Sequence, residues 1–425
     1  MTHAPEKTSS GPQRRETAPV VLTSVGPACK RILFFDHTAN LGGGEIALLR
    51  LASRLDRTRY TPLVVLASDG PLVERLRAAG IETHVLSLSP RITQARKDGL
   101  GGRTLLRGRD LLATLAYIRQ LARFIRQQQA DIVHTNSLKA DILGGCAARL
   151  ARTPVIWHIH DRIAEDYLPA SVARLFRWLC RVLPDYIVTN SQATLSTLRY
   201  PRQHRCAVIA CGAEIRPQSE EGARKASAAE TKPMERRIGL VGRISPWKGQ
   251  HIFLHAAALV RRRFPAARFL VIGAALFAEK DYEAQIHALT HTLGLEDCVE
   301  FTGFRNDVPD LIASLEILVH ASTIGEPFGQ VIIEGMAEGK PVVATDGGAI
   351  PEIVEEGKTG LLVPMGDAVA MAEAIGALLS DPERAARMGQ HGRERVLAHF
   401  TLDQMARRME AIYDTLIRRT CQIEP

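Results

Sequence analysis

Two trains of strand-length apolar runs alternating with amphipathic stretches, separated by a polar break at 213–236, constrain this 425-residue chain more than any other feature. The first train opens with the run Arg-Ile-Leu-Phe-Phe at 31–35. From Glu45 onward Ile46, Leu48, Leu49, Leu51, Ala52 and Leu55 recur at helical spacing. Further strands are predicted at 62–67, 83–86, 131–135, 154–160, 187–190 and 206–209, with helices over 71–79, 111–127 and 138–150. After the break, strands at 238–241, 268–272, 299–302, 317–320 and 341–344 alternate with helices at 249–262, 282–293, 308–314 and 330–338, and 368–418 reads as almost wholly helical. Such alternation produces parallel sheets covered by helices on both faces. The expected organisation is a leader at 1–29, an α/β domain at 30–212, a linker at 213–236 rich in Glu, Ser, Ala, Lys and Pro, and a second α/β domain at 237–400. A final helix at 401–425 is expected to pack back on the first domain.

Composition narrows the class. A hydrophobic share of 46% with 24% charged residues supports packed cores and excludes disorder, and no apolar run approaches the ~20 residues that a bilayer crossing requires. The polar start lacks the apolar core of a signal peptide, and seven scattered cysteines without C-x-x-C spacing read as reduced thiols, so a cytoplasmic setting is expected. Charge is divided unevenly. Residues 1–212 carry 30 Lys/Arg against 16 Asp/Glu, whereas the remainder carries 24 against 30. Nine of the cations lie between Arg91 and Arg126, a stretch with two readings: a solvated loop and basic-faced helix, or a surface for anionic lipid at the inner face of a membrane.

Chemistry concentrates at the predicted carboxyl ends of strands. In Gly-Glu-Pro-Phe-Gly-Gln-Val-Ile-Ile-Glu at 325–334, two carboxylates stand eight positions apart, Glu326 in a loop and Glu334 inside a helix that starts near Gly329. At ~1.5 Å per residue this places Glu334 about a turn and a half below a rim on which Glu326 is expected to stay. Separated carboxylates can accept hydroxyls from opposite ends of an extended polyol, and the helix tip between them offers N–H groups to a phosphate. That layout suits a sugar nucleotide. Upstream, Arg243 and Lys248 follow the first strand of the second domain, where two cations can neutralise a departing diphosphate without any metal.

Two segments of the first domain face the same place. Gly42-Gly43-Gly44 precedes the helix that starts near Glu45 and lets a substrate approach its tip. Gly42-x-Gly44-x-x-Ala47 with Asp69 also fits a relaxed dinucleotide fingerprint, but six residues separate Phe35 from Gly42, and no P-loop pattern occurs. Trp157-His158-Ile159-His160-Asp161 ends a strand whose alternation turns both histidines to one face. A cleft histidine can donate to a sugar hydroxyl, with Asp161 orienting its ring; either His158 or His160 fills that role, His160 being nearer the rim.

Together these segments resemble the family-4 retaining glycosyltransferases of the GT-B fold, in which two Rossmann-like domains face each other across an interdomain cleft. The resemblance runs from about residue 31 to residue 400. Its most specific part is Glu-x7-Glu with Pro327-Phe328-Gly329 inside it, followed by Gly339-Lys340-Pro341-Val342-Val343-Ala344-Thr345 and by Gly347-Gly348 through Pro351-Glu352. It implies that Glu334 holds the donor ribose and that Glu326 holds the transferred sugar beside the Phe328 and Gly329 backbone. Arg243 and Lys248 would stabilise the diphosphate, Gly43 and Gly44 would approach it from the other domain, and His160 would contact the sugar near C6. The segment 303–308, with Phe304 and Val308, resembles a base-binding loop. The donor would be a UDP- or GDP-sugar and the acceptor a glycan or lipid-linked molecule in polysaccharide or glycolipid biosynthesis. Transfer would proceed with retention, with no cofactor and no obligatory metal. In departure from the family pattern, Ile272-Gly273-Ala274-Ala275 lacks a second glycine. A phosphorylase- or epimerase-like enzyme and a non-catalytic assembly protein are the competing readings; no segment suggests a pyridoxal-phosphate lysine. No aromatic-interleaved basic platform points to nucleic acid.

Overall fold

The computed structural model describes residues 29–88, 108–199, 203–217, 235–276 and 279–421. The leader, most of the linker and the basic residues from Arg91 to Arg107 lie outside the described residues.

Strands β1 (Lys30–Asp36), β2 (Tyr60–Leu66), β3 (Glu82–Val85), β4 (Ile132–Thr135), β5 (Val155–Ile159), β6 (Tyr186–Thr189) and β7 (Cys206–Val208) form one parallel sheet in the order 3-2-1-4-5-6-7. Strands β8 (Arg236–Val241), β9 (Ala267–Ile272), β10 (Val299–Gly303), β11 (Ile317–His320), β12 (Val342–Thr345) and β13 (Gly360–Val363) form a second in the order 10-9-8-11-12-13. The middle of β1 is apolar, as residues covered on two faces are: Ile32, Leu33, Phe34 and Phe35 are fully buried, and Asp36 is buried at the strand's carboxyl end. Strand order reverses between β1 and β4 and again between β8 and β11. The carboxyl ends at such a reversal splay apart and leave a crevice, so each sheet has one place prepared for a ligand.

Helices α1 (Gly43–Arg54) and α2 (Pro71–Ala78) cover one face of the first sheet. The other is covered by α3 (Gly108–Gln127), α4 (Leu138–Ala151) and α5 (Ala170–Leu179), and α6 (Gln192–Leu198) follows β6. In the second domain α7 (Gln250–Arg263), α8 (Lys280–Thr292), α9 (Val308–Ala313), α10 (Gln330–Ala337), α11 (Ile350–Ile353), α12 (Ala368–Ser380) and α13 (Pro382–His399) build the corresponding layers. The helical tail is three helices. Asp381 caps α13 through Arg384 N, and the chain turns again at Phe400 before α14 (Leu402–Cys421). This last helix returns to the first sheet, where Met409 and Tyr413 are fully buried beside Ile32 and Phe34. Tyr60 Oη donates to Asp414 at 2.5 Å, and Arg59 donates to both oxygens of the same carboxylate at 2.8 and 2.7 Å.

Four elements were not among those predicted from sequence: helices α5, α6 and α11 and strand β13. Along α3, Ile118, Leu121 and Ile125 belong to the core, whereas Leu111, Leu112 and Leu115 are exposed.

Candidate active site

The loops at the two reversals meet across the cleft. After β8, Arg243 and the short 3-10 turn Pro246–Lys248 bring two cations to the rim of the second domain. Gly249 follows at φ +71°, pressed so closely on the Ala321 carbonyl that any side chain would collide with it. That approach, with Thr323 N donating to Trp247 O at 2.8 Å, sets Lys248 against the loop that leads from β11 to α10.

Lys248 Nζ lies 2.9 and 3.0 Å from the two oxygens of Glu326, and Ser322 Oγ and His320 Nε2 reach Oε2 at 2.8 and 3.2 Å. Glu326 is therefore not the rim residue expected from its loop position. It is only 7% exposed, buried deeper than Glu334, because the loop backbone folds inward. There the Glu326 carbonyl accepts Ala349 N at 2.9 Å, and Gly348, at φ +64°, packs where no side chain fits. Burial pushes the Glu326 carboxyl up, but Lys248 and His320 outweigh it and hold the group well below the usual carboxylate range. It is a fixed negative charge. His320 and Ser322 were not singled out by sequence; their signal was only a polar pair following a buried strand.

Glu334 has a partner from the other domain: Arg50 Nη2 of α1, at 2.7 Å. Gln330 Nε2 donates to Gly43 O at 2.7 Å, so the tip of α1 meets the tip of α10. Gly44 sits beside Asn136 and His160. Arg243 Nε lies 3.2 Å from a Glu279 oxygen. Phe328 is 5% exposed and packs its ring on Phe400, so only its backbone, with that of Gly329 at φ +110°, can face a ligand. Phe304 is the opposite case, an exposed ring before α9, which begins at Val308. Arg75 of α2 reaches that loop across the cleft, Nη2 donating to Asn306 Oδ1 at 2.6 Å.

The two histidines separate. His158 is 2% exposed and accepts or donates at 3.1 Å through Nδ1 to His134 Nε2, which in turn meets Tyr413 Oη at 2.8 Å through Nδ1. His160 stacks on His158 with ring centroids 4.0 Å apart and pairs through Nε2 with Asn136 Oδ1 at 3.1 Å. Asn136 Nδ2 donates to Asp36 Oδ2 and to Gly44 O, both at 2.9 Å, which leaves Oδ1 as acceptor and puts the His160 proton on Nε2. Nδ1 of His160, buried and without a protein hydrogen bond among the described residues, is then an acceptor for a hydroxyl, not the donor expected. Asn136, not Asp161, orients the ring. Asp161 instead accepts Tyr167 Oη at 2.6 Å, and Tyr167 is close enough to Glu326 and Arg243 to feel both charges. Burial drives the His160 pKa down to about 4 against the opposing pull of Asp161 and Asp36, so the ring is neutral near pH 7.

The domains are also joined beside the site. Ser191 Oγ donates to Pro327 O at 2.6 Å, and Glu352 of α11 accepts Gln192 N and Ala193 N at 2.9 and 2.7 Å, capping α6 from the opposite domain.

Comparison with known proteins places this geometry. Residues 41–216 match the family model for glycosyltransferase family 4, and residues 223–395 that for glycosyl transferases group 1. The chain is 32% identical to the alpha-D-kanosaminyltransferase of Streptomyces kanamyceticus, over 80% of this chain and 97% of the relative. The chain belongs to the family-4 glycosyltransferases of the GT-B fold. It is 30% identical to the lipopolysaccharide core biosynthesis mannosyltransferase of Rhizobium meliloti over 55% of the chain, a match that spans 66% of that relative, just under two thirds of its length. Among solved structures, this family-4 chain is similar to Anabaena HepE in complex with UDP and glucose, at a TM-score of 0.78 and 29% identity over 90% of this chain and 99% of that one. It shares its fold with the sucrose-phosphate synthase of Thermosynechococcus elongatus, at a TM-score of 0.74 and 21% identity over 92% and 100%. Among the described residues no helix is long and apolar enough to cross a membrane.

Proposed function

We propose that the chain is a retaining, metal-independent glycosyltransferase that moves a hexose from a UDP- or GDP-sugar to a glycan or lipid-linked acceptor in cell-surface polysaccharide or glycolipid biosynthesis. The observation that carries this is the Lys248–Glu326 pair, fixed at a strand reversal and faced by Tyr167 of the opposite domain. The likeness to HepE, solved with UDP and glucose, supports the donor class.

In this reading Glu334 binds the ribose diol, Glu326 and His160 Nδ1 accept sugar hydroxyls, and Gly43 and Gly44 admit the diphosphate to the tip of α1. Phe304, with Val308 behind it, lies against the base. As the bond from C1 to the phosphate oxygen breaks, charge builds on the departing diphosphate, and Arg243 and Lys248 stabilise it without any metal. The acceptor oxygen bonds to C1 on the face that the phosphate leaves, and its proton passes to the departing phosphate oxygen. Arg243 must exchange Glu279 for the diphosphate, a trade between two anions at one cation. The exposed Leu111, Leu112 and Leu115 of α3, beside Arg119, Arg123 and Arg126, support docking on an anionic membrane where a lipid-linked acceptor would be presented.

The test is product analysis. Incubation with a panel of UDP- and GDP-sugars and a bacterial lipid extract should give one glycosylated product by mass spectrometry, with the donor's anomeric configuration in its proton NMR spectrum. An inverted product would remove the retaining assignment, and no product from any donor would favour a non-catalytic assembly protein.

A further inference from the structure

Arg50 lies on α1 seven residues after Gly43, and so about two turns below the helix tip. Its Nη2 donates to Glu334 Oε1 at 2.7 Å and its Nη1 to Gln330 Oε1 at 3.3 Å, while Gln330 Nε2 returns to Gly43 O at 2.7 Å. These contacts all cross the cleft and tie one face of α1 to one face of α10. The side chains of Arg50 and Glu334 are 20% and 22% exposed, so the pair is shielded yet open to the cleft.

A carboxylate offers roughly four lone-pair sites. Arg50 occupies one on Oε1, and Oε2 of Glu334 accepts no hydrogen bond from the described residues. Without a partner, a glutamate on an exposed helix face samples several rotamers, and a diol would have to select among them. With Arg50 in place one oxygen is anchored and the other is presented. Because α1 is one rigid helix, withdrawal of the first domain would carry Gly43 and Arg50 away together.

We propose that Arg50 is a positioning residue for the nucleotide: by holding Glu334 Oε1 it presents Oε2 to the ribose diol and couples that grip to closure of the first domain on the second. This rests on the assignment of Glu334 to the ribose. Since the coupling is reciprocal, a nucleotide that engages Glu334 also favours the closed arrangement.

Calorimetric titration of the full chain with UDP and GDP, followed for the tighter of the two and its 2′-deoxy analogue, tests it. Arg50→Met, which keeps the stem and removes the guanidinium, should weaken the ribonucleotide about tenfold and the 2′-deoxy form much less, so that the ribose preference collapses. Arg50→Lys should restore part of that preference. In a Glu334→Gln background Arg50→Met should have no further effect. If Glu334→Gln weakens binding but Arg50→Met leaves it unchanged or tightens it, the positioning role is wrong and the ribose assignment stands. If Glu334→Gln binds like the unaltered chain, the ribose assignment fails and takes this inference with it.

Discussion

Lys248 holds Glu326 by both carboxylate oxygens, at 2.9 and 3.0 Å, in a pocket that leaves the glutamate 7% exposed. The pair places a positive and a negative charge side by side where a phosphate and a sugar hydroxyl would meet. Removing the cation therefore does two things. Lys248→Met should lower kcat/KM by about 10²- to 10³-fold, the usual loss when one donor to a developing oxyanion is removed. It should also lower Tm by stranding a buried carboxylate. Lys248→Arg should recover stability better than rate. Activity assays and thermal melts on the same preparations separate the two effects.

The same carboxylate sets an acid limit. Its pKa in the fold lies well below the ordinary 4.5, so its contribution to stability is fully present above that value and is lost as pH falls below it. Melts between about pH 5 and 3 should show a steeper fall for the unaltered chain than for Ser322→Ala/Lys248→Met, in which that network has been dismantled.

Glu45, in the first turn of α1, behaves oppositely. Burial, and then the nearby Asp36 charge, push its pKa up to about 8, from an ordinary 4.5. A carboxyl raised in this way favours the folded state below 4.5 and loses that contribution as pH rises towards 8. Glu45→Gln, a neutral mimic, should leave the melting temperature at about pH 5 nearly unchanged and raise it by a few degrees at about pH 8.5. An equal response at both pH values would mean that Glu45 is already ionised.

A buried chain of rings links the last helix to the cleft. Burial drives His134 down to about 3, His158 well below 6.5 and His160 to about 4, so all three are neutral near pH 7. Neutral buried histidines support the fold above pH 6.5 and oppose it as pH falls towards those lowered values. His134→Gln should melt earlier at about pH 7.5 but lose stability less steeply between about pH 6.5 and 4. Tyr413→Phe removes the Oη contact with His134 and should reduce kcat severalfold with little change in donor KM, through looser stacking beneath His160.

Membrane docking has its own readout. Sedimentation with anionic vesicles should exceed that with neutral ones and fall with salt, and Leu112→Ser/Leu115→Ser on α3 should reduce it without changing Tm, since both side chains are exposed. Equal sedimentation with both vesicle types would end that part of the account.

The alternation of apolar runs was enough to read two parallel sheets, because strands such as β1 are covered on both faces and carry a continuous apolar run, Ile32 to Phe35. The Glu-x7-Glu spacing and the cations after β8 were legible for a related reason: they are local patterns at strand ends. What sequence did not carry was partnership over long separations. Arg50 and Glu334 stand 284 positions apart, and nothing near either names the other. Asn136 took the role expected of Asp161 because the turn after β4 brings it against His160, a relation created by the pairing of β4 with β5. Glu326 looked like a rim residue because a loop position says nothing of whether its backbone folds inward.

The most direct measurement of the central claim is a crystal structure with a bound UDP- or GDP-sugar. The ribose should lie at Glu334, the diphosphate between Arg243 and the α1 tip at Gly43, and the sugar against Glu326 and His160 Nδ1. A nucleotide bound elsewhere, or a sugar with none of these side chains within hydrogen-bond reach, would contradict it.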